Sequence, residues 1–481
     1  MSIISVNFAL FTCIVLLVYY VLPRRQQNYL LLAVSLLFLS FWSYQVALIF
    51  VFLTLANYLV ARHVRREDNK RVPVFLWIGI ALNLFSLAYL KYNDFFFPYI
   101  AYYLRKTGIA FSLEGLKLLL PVGLSFYAVQ AVAYLLDIFK GVARPVASLT
   151  DFALFMLYFP KLISGPIERS RDLVPKLQSP RVVNWGCVER SLSLIVVGLV
   201  RKVVIADGLF LLFPERAFIE PQRFSAPHLI CSLLFYAFMI YNDFAGYTSI
   251  VRGISGLLGI ELSQNFNIPY FSRNFTEFWQ RWHITLSNWL RDYIFMPLTR
   301  SLLRRGFDSR HPVTLILPPF VTMFVSALWH NANGGILLWG GLHAFYQVVE
   351  RLFVMWRKQG PPRFFARWQQ GLAILLVFAL TVLAWAPFRM EIPVALQFYK
   401  EVFRFSLSGE TFIPVLAMWI SLFLVALSLM IDVPQYRRGE LVFVQQPPLV
   451  KAALINAAIV LLVIGIAAHL KAPPPFIYQA F

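Results

Sequence analysis

Apolar residues run along this chain in long blocks, not in one-sided stripes. The first block, residues 4–22, has no basic start and no small-residue cleavage site, so it reads as a helix that stays in place rather than a signal peptide. A helix needs about 20 apolar residues to cross the hydrocarbon core of a bilayer. Comparable runs follow at 28–43, 44–61, 73–90, 118–136, 188–213, 227–240, 312–328, 335–356, 371–385, 413–431 and 450–470. Several are short or are broken by Pro or Gly. The pattern therefore predicts an all-α polytopic membrane protein with roughly eleven to thirteen transmembrane or re-entrant helices.

The middle of the chain departs from simple lipid-facing spans. Polar and ionisable groups stand inside apolar context, where lipid exposure costs several kcal/mol, so they are expected to face a cavity or one another. Pro121 and Gly123 predict a kink, and Gln130, Tyr134 and Asp137 then make one polar stripe at helical spacing. Residues 159–167, FPKLISGPI, repeat the broken pattern with a charge, and residues 241–247, YNDFAGY, set Asp243 among aromatics. Three such segments together favour a polar interior.

The densest stretch is 276–298, TEFWQRWHITLSNWLRDYIFMPL. Phe278, Trp282, Leu286, Trp289 and Tyr293 recur every three or four residues, while Glu277, Arg281, Asn288 and Asp292 lie on another face. The spacing predicts one amphipathic helix, with tryptophans suited to a membrane interface. His283 falls between the two faces. Further on, the apolar run 312–328 leads directly into Trp329-His330, and the polar segment Asn331-Ala332-Asn333-Gly334 breaks it. His330 is thus placed at a helix end beside flexible backbone. Histidine is the side chain best suited to moving protons near neutral pH, although a lone buried histidine is more often a packing residue. His343, one helix past His330, has only its spacing to recommend it. His63, His228, His311 and His469 read as structural or solvated.

Composition agrees with the pattern and removes other classes. Of 481 residues, 59% are hydrophobic and 14% charged, against roughly 25% charged in a soluble domain. The formal net charge of +20 would suggest nucleic acid in a soluble protein. In a membrane protein, basic residues gather in cytoplasmic loops. Arg24 and Arg25 follow the first run, and Arg62, Arg65, Arg66, Lys70 and Arg71 follow the third, which predicts an N-terminus outside and these loops in the cytoplasm. Clusters at 161–181, 300–310 and 351–367 are expected to face the same way. No nucleic-acid partner is expected. Cys13, Cys187 and Cys231 form neither a disulfide framework nor a CxxC pattern, and no HExxH or Cys/His cluster argues for a metal. There is no GxSxG nucleophile motif and no internal repeat of the kind that builds inverted transporters.

Over most of the chain, and most strongly from Pro121 to His343, the residues resemble the membrane-bound O-acyltransferase family, on the branch that contains the alginate O-acetyltransferase membrane subunit. The matching stretches are 120–140, 159–177, 198–207 (GLVRKVVIAD), 236–247, 257–270, 278–298 and 328–342, and the run 279–292, WQRWHITLSNWLRD, is the most specific. The ending 475–478, PFIY, is similar as well. The resemblance implies a single membrane-bound domain over 1–481, with a catalytic core at about 118–345 and flanking helices at 1–117 and 346–481. It also implies a ring of helices around a central funnel or tunnel. Departures from the family pattern fall near that tunnel: Asn331 where Gly is usual, Asn333-Gly334 where an aromatic is frequent, and Asn242 for an aromatic.

By the same resemblance, His330 matches the family's catalytic histidine, and His283 matches a second, functionally important histidine. Trp329, Asp243, Asn288, Arg291 and Asp292 are supporting candidates. The implied reaction moves an acetyl or other acyl group from a cytoplasmic thioester, acetyl-CoA being the expected donor, to hydroxyls of an extracytoplasmic polysaccharide. It needs no bound cofactor. A separate periplasmic acetyl-transferring protein is the expected partner, and a bacterial inner membrane the expected location. A D-alanyl or other cell-wall polymer acyltransferase, a transporter or flippase, and a scaffold for a periplasmic enzyme remain alternatives.

Overall fold

The computed structural model describes residues 3–64, 73–107, 123–181, 184–212, 215–356, 367–409 and 414–468. Outside these lie Pro121, the basic residues Arg65, Arg66, Lys70 and Arg71, His469, most of the 351–367 cluster beyond Trp356, and the ending at 475–478. The described residues are helical, without an extended strand. Helices Tyr44–Ala61, Val74–Lys91, Ala226–Leu257, Pro312–His330, Trp368–Arg389, Val415–Arg438 and Pro448–Ala468 are each long and apolar enough to cross a membrane, and Val6–Val21 and Leu124–Phe139 are shorter apolar helices. The chain is a polytopic, all-α membrane protein. Several other runs became something else. The run at 188–213 contains Arg201, Lys202 and Asp207, and it folds as an α-helix, a π-helical turn over Val200–Ala206 and a short helix Asp207–Leu211.

The chain divides into two compact units, residues 1–195 with 251–263, and residues 196–250 with 264–481. In the first, helices Tyr44–Ala61 and Val74–Lys91 are joined by a reciprocal amide pair: Asn57 Nδ2 donates to Asn83 Oδ1 at 3.2 Å, and Asn83 Nδ2 to Asn57 Oδ1 at 2.8 Å. Such bonds join helices where no water can satisfy the amides. Helix Leu124–Phe139 is buried nearly all round. It starts at Gly123, whose φ of +88° and whose hydrogen in place of a Cβ let the Leu162 carbonyl approach; a Cβ would stand 2.4 Å from that oxygen.

The polar stripe lies inside this unit. Gln130 donates to the Phe155 carbonyl at 3.0 Å and accepts from Lys161 Nζ at 2.8 Å. Lys161 is therefore buried and not part of a solvated cytoplasmic cluster, and burial pushes its ammonium down to about 7. Glu168 is also buried, accepting from Ser263 N and Oγ.

In the second unit, helix Pro312–His330 packs along helix Gly334–Trp356, which in turn packs on helix Arg367–Arg389. Gly335 makes the last approach possible, since a Cβ there would lie 2.0 Å from the Met390 carbonyl oxygen. Apart from Lys451 and Asn456, helix Pro448–Ala468 is apolar, and most of its large side chains are exposed, as a helix facing lipid requires.

Candidate active site

The single amphipathic helix expected over 276–298 is not what forms. The chain makes helix Phe275–Arg281, then Ile284–Leu290, a π-helical turn Arg291–Phe295, and helix Met296–Arg304. The break comes at Trp282, which is extended, and at His283, which is left-handed with φ 43° and ψ 54°. A non-glycine residue in that region is uncommon and persists where its surroundings hold it. Here the Ile284 N–H donates to the Asn265 carbonyl, and the Asn267 N–H to the Arg281 carbonyl, both at 2.9 Å. The side chain of Asn265 completes the hold. Its Oδ1 accepts from Thr285 N, Thr285 Oγ1 and His283 Nδ1 at 3.2, 2.9 and 3.2 Å. A backbone N–H must find an acceptor, so the amide oxygen faces Thr285, and the His283 imidazole carries its proton on Nδ1. Burial pushes His283 down to about 3, so it stays neutral.

The fold-back also changes the role of the tryptophans. Trp282 and Trp289 are buried rather than set at an interface. Of the predicted face, Phe278, Trp282, Leu286 and Trp289 go inward, while Tyr293 is only partly buried. Glu277 works at the other side of the break. Burial raises its carboxyl, but bonds from the Arg273 side chain and N–H, together with the Arg281 charge, outweigh that and hold it below its ordinary value.

His330 is the last residue of helix Pro312–His330, and Asn331 leaves in extended backbone. Asn333 Oδ1 accepts from Ile336 N at 2.8 Å and starts the next helix, so the chain reverses within three residues. The His330 ring is 4% exposed. It lies edge-on to Trp329, Trp339 and Phe388 with centroids 4.9, 5.4 and 5.3 Å away. Trp329 is also 5.7 Å from His283. The two histidines, 47 positions apart in the chain, thus meet on one tryptophan. His343 joins the same cluster: it is buried, stacks on Phe278 and lies 5.1 Å from Trp279 and 5.2 Å from Trp339.

The other candidates stand elsewhere. Asp243 pairs with Lys202 at 2.6 Å, and the same ammonium reaches Asp207 at 2.6 Å. Beside it, Arg201 pairs with Asp432 at 2.5 Å and donates to Asn242 at 3.0 Å, while Tyr241 donates to Asp432 at 3.0 Å. Asn242, in place of an aromatic, is thus part of a buried ion network. Arg291 pairs with its neighbour Asp292 at 3.0 Å with its guanidinium half in solvent, and Asn288 is half-buried. Sequence reasoning passed over Asn265, Trp339 and Phe388. For the ion network the sequence signal was Asp243, an ionisable group among aromatics.

Residues 139–384 match the MBOAT, membrane-bound O-acyltransferase family. Over 409 residues the chain is 32% identical to a probable alginate O-acetylase AlgI of Pseudomonas putida, covering 83% of this chain and 80% of that protein. The chain belongs to the membrane-bound O-acyltransferase family. It is a membrane-bound O-acyltransferase, which sets aside the transporter and flippase alternatives. It is also 29% identical to a peptidoglycan O-acetyltransferase of Helicobacter pylori, over 78% of this chain and 74% of that one. A teichoic acid D-alanyltransferase of Streptococcus thermophilus is 31% identical over 51% of this chain and 61% of its own length. In this acyltransferase, the matched region contains His283, His330 and His343, and the described residues contain no group of three or more His, Cys, Asp or Glu placed to hold a metal ion.

Proposed function

We propose that this chain acetylates an extracytoplasmic polysaccharide from a cytoplasmic acyl thioester, with His330 as general base. The observation that carries the reading is the position of His330: a buried imidazole at a helix end, walled by three aromatic rings and sharing Trp329 with His283. Imidazole is the side-chain base best suited to take a proton from a hydroxyl. His330 takes the proton of an acceptor hydroxyl as its oxygen attacks the thioester carbonyl, and returns it to the departing thiolate. General base catalysis of this kind contributes about 10²–10⁴-fold. His283, held by Asn265, orients the acceptor.

The likeness to an alginate O-acetylase favours an acetyl group and an alginate-like exopolysaccharide. Acetyl-CoA is then the donor, the inner membrane the location, and a periplasmic acetyl-transferring protein the partner that finishes the transfer. The exposed arginines Arg300, Arg304, Arg305 and Arg310 suit an anionic donor. Cells with and without this chain are compared by NMR of their extracted polysaccharides. Acetyl ester signals that depend on the chain support the reading. D-alanyl esters on a cell-wall polymer in their place would move it to the teichoic-acid side of the family.

A further inference from the structure

We infer that Trp339 is a further catalytic residue, its indole N–H donating to the oxyanion that forms when the acceptor attacks the thioester. The inference rests on the proposed role of His330 and adds the group that receives the charge. Trp339 is 1% exposed, and its Nε1 is buried with no hydrogen-bond acceptor among the described residues. A buried donor left so costs about 1–3 kcal/mol; Trp279 and Trp385 share that condition, and Trp339 is the one of the three whose ring meets His330. The ring is fixed on several sides, by Trp279 at 6.0 Å, His343 at 5.2 Å, Trp385 at 6.2 Å and Phe388 at 5.2 Å. It meets the base directly, with its centroid 5.4 Å from His330 at 88°.

The edge-on contact sets the indole beside the imidazole, so that both border the same reacting carbonyl. Indole is a donor only and does not titrate, so it serves an anion without competing for the base's proton. In the step itself the acceptor O–H bond breaks and its proton goes to His330. The C–O bond forms, and the carbonyl π pair moves onto the oxygen that Trp339 N–H binds. Collapse restores C=O and breaks C–S, and the thiolate takes the proton from the His330 imidazolium.

The test uses the full chain in proteoliposomes with an acetyl thioester and a hydroxyl acceptor. Trp339→Phe keeps an aromatic face and deletes the N–H. A second variant, with 3-benzothienylalanine at 339, keeps the shape of the bicycle and replaces N–H by sulfur, so it decides the matter if the phenylalanine variant folds poorly. The expected result is a fall in kcat of roughly 10²–10³-fold, as for loss of one oxyanion donor. The thioester KM, the shape of the pH profile and the melting temperature should stay as in the wild type. A benzothienyl variant with kcat within threefold of wild type would overturn the inference. So would a fall in the benzothienyl variant matched by a lower melting temperature, because both outcomes assign Trp339 to packing. If His330→Ala is inactive while the benzothienyl variant is not, only the oxyanion role fails; if His330→Ala keeps full activity, the proposed base fails instead.

Discussion

Lys202→Met removes the one ammonium that bridges Asp207 and Asp243. Lys202 Nζ stands 2.6 Å from a carboxylate oxygen of each, and the three side chains are 3%, 4% and 2% exposed. The substitution therefore leaves two buried carboxylates facing a thioether. Breaking a buried ion pair by removing one partner costs about 3–5 kcal/mol, whereas replacing the whole set by neutral groups of similar volume is often nearly neutral. Lys202→Met alone is accordingly expected to lose about that amount. The triple variant Lys202→Met, Asp207→Asn, Asp243→Asn should recover most of it. The assay is thermal unfolding of the detergent-solubilised protein, followed by tryptophan fluorescence and checked by the rate of irreversible inactivation, since large membrane proteins rarely refold. A single variant as stable as wild type would refute the reasoning, and so would a triple variant no better than the single one.

Two further predictions concern groups that hold the interior together. Asn265→Ala removes the acceptor shared by His283 and Thr285; stability should drop by about 1–3 kcal/mol and ester formation should fall, while Asn265→Asp, which keeps an acceptor, should recover part of both, as thermal melts and acetyl-transfer rates can check. Lys161 is pushed by burial from 10.5 to about 7, so above pH 7 the folded chain has released a proton that the unfolded chain still binds. Its contribution is therefore present at high pH and is lost as pH falls through about 7. Melting temperature should rise from pH 7 to about 9, and Lys161→Met should flatten that rise.

Much of this fold can be read from the residues, and the failures are local. The spans at 44–61 and 312–328 come out almost to the residue, because continuous apolar runs leave the backbone no choice but a helix. The inward face Phe278, Trp282, Leu286 and Trp289 follows from its spacing too. What the spacing does not carry is the break at Trp282-His283. Its cause is Asn265, which lies on a different part of the chain and draws the Ile284 and Thr285 N–H groups out of helical register. Trp339 escapes for a similar reason. Along helix Gly334–Trp356 it looks like any buried aromatic, and its contact with His330 exists only because the chain reverses at Asn331–Asn333. Lys161 and Lys202 illustrate the limit of charge counting. Both belong to the +20 total, yet both are interior, where a bonded or paired cation says nothing about which loops face the cytoplasm.

The central claim is that His330 takes the acceptor's proton. Its most direct measurement is acetyl ester formation by His330→Ala, inserted at wild-type level in proteoliposomes with an acetyl thioester inside and, outside, a polysaccharide acceptor with the periplasmic acetyl-transferring protein. His330→Ala is expected to lose about 10²–10⁴-fold in the rate of ester formation while still folding and inserting at wild-type level. Ester formation at the wild-type rate would contradict it.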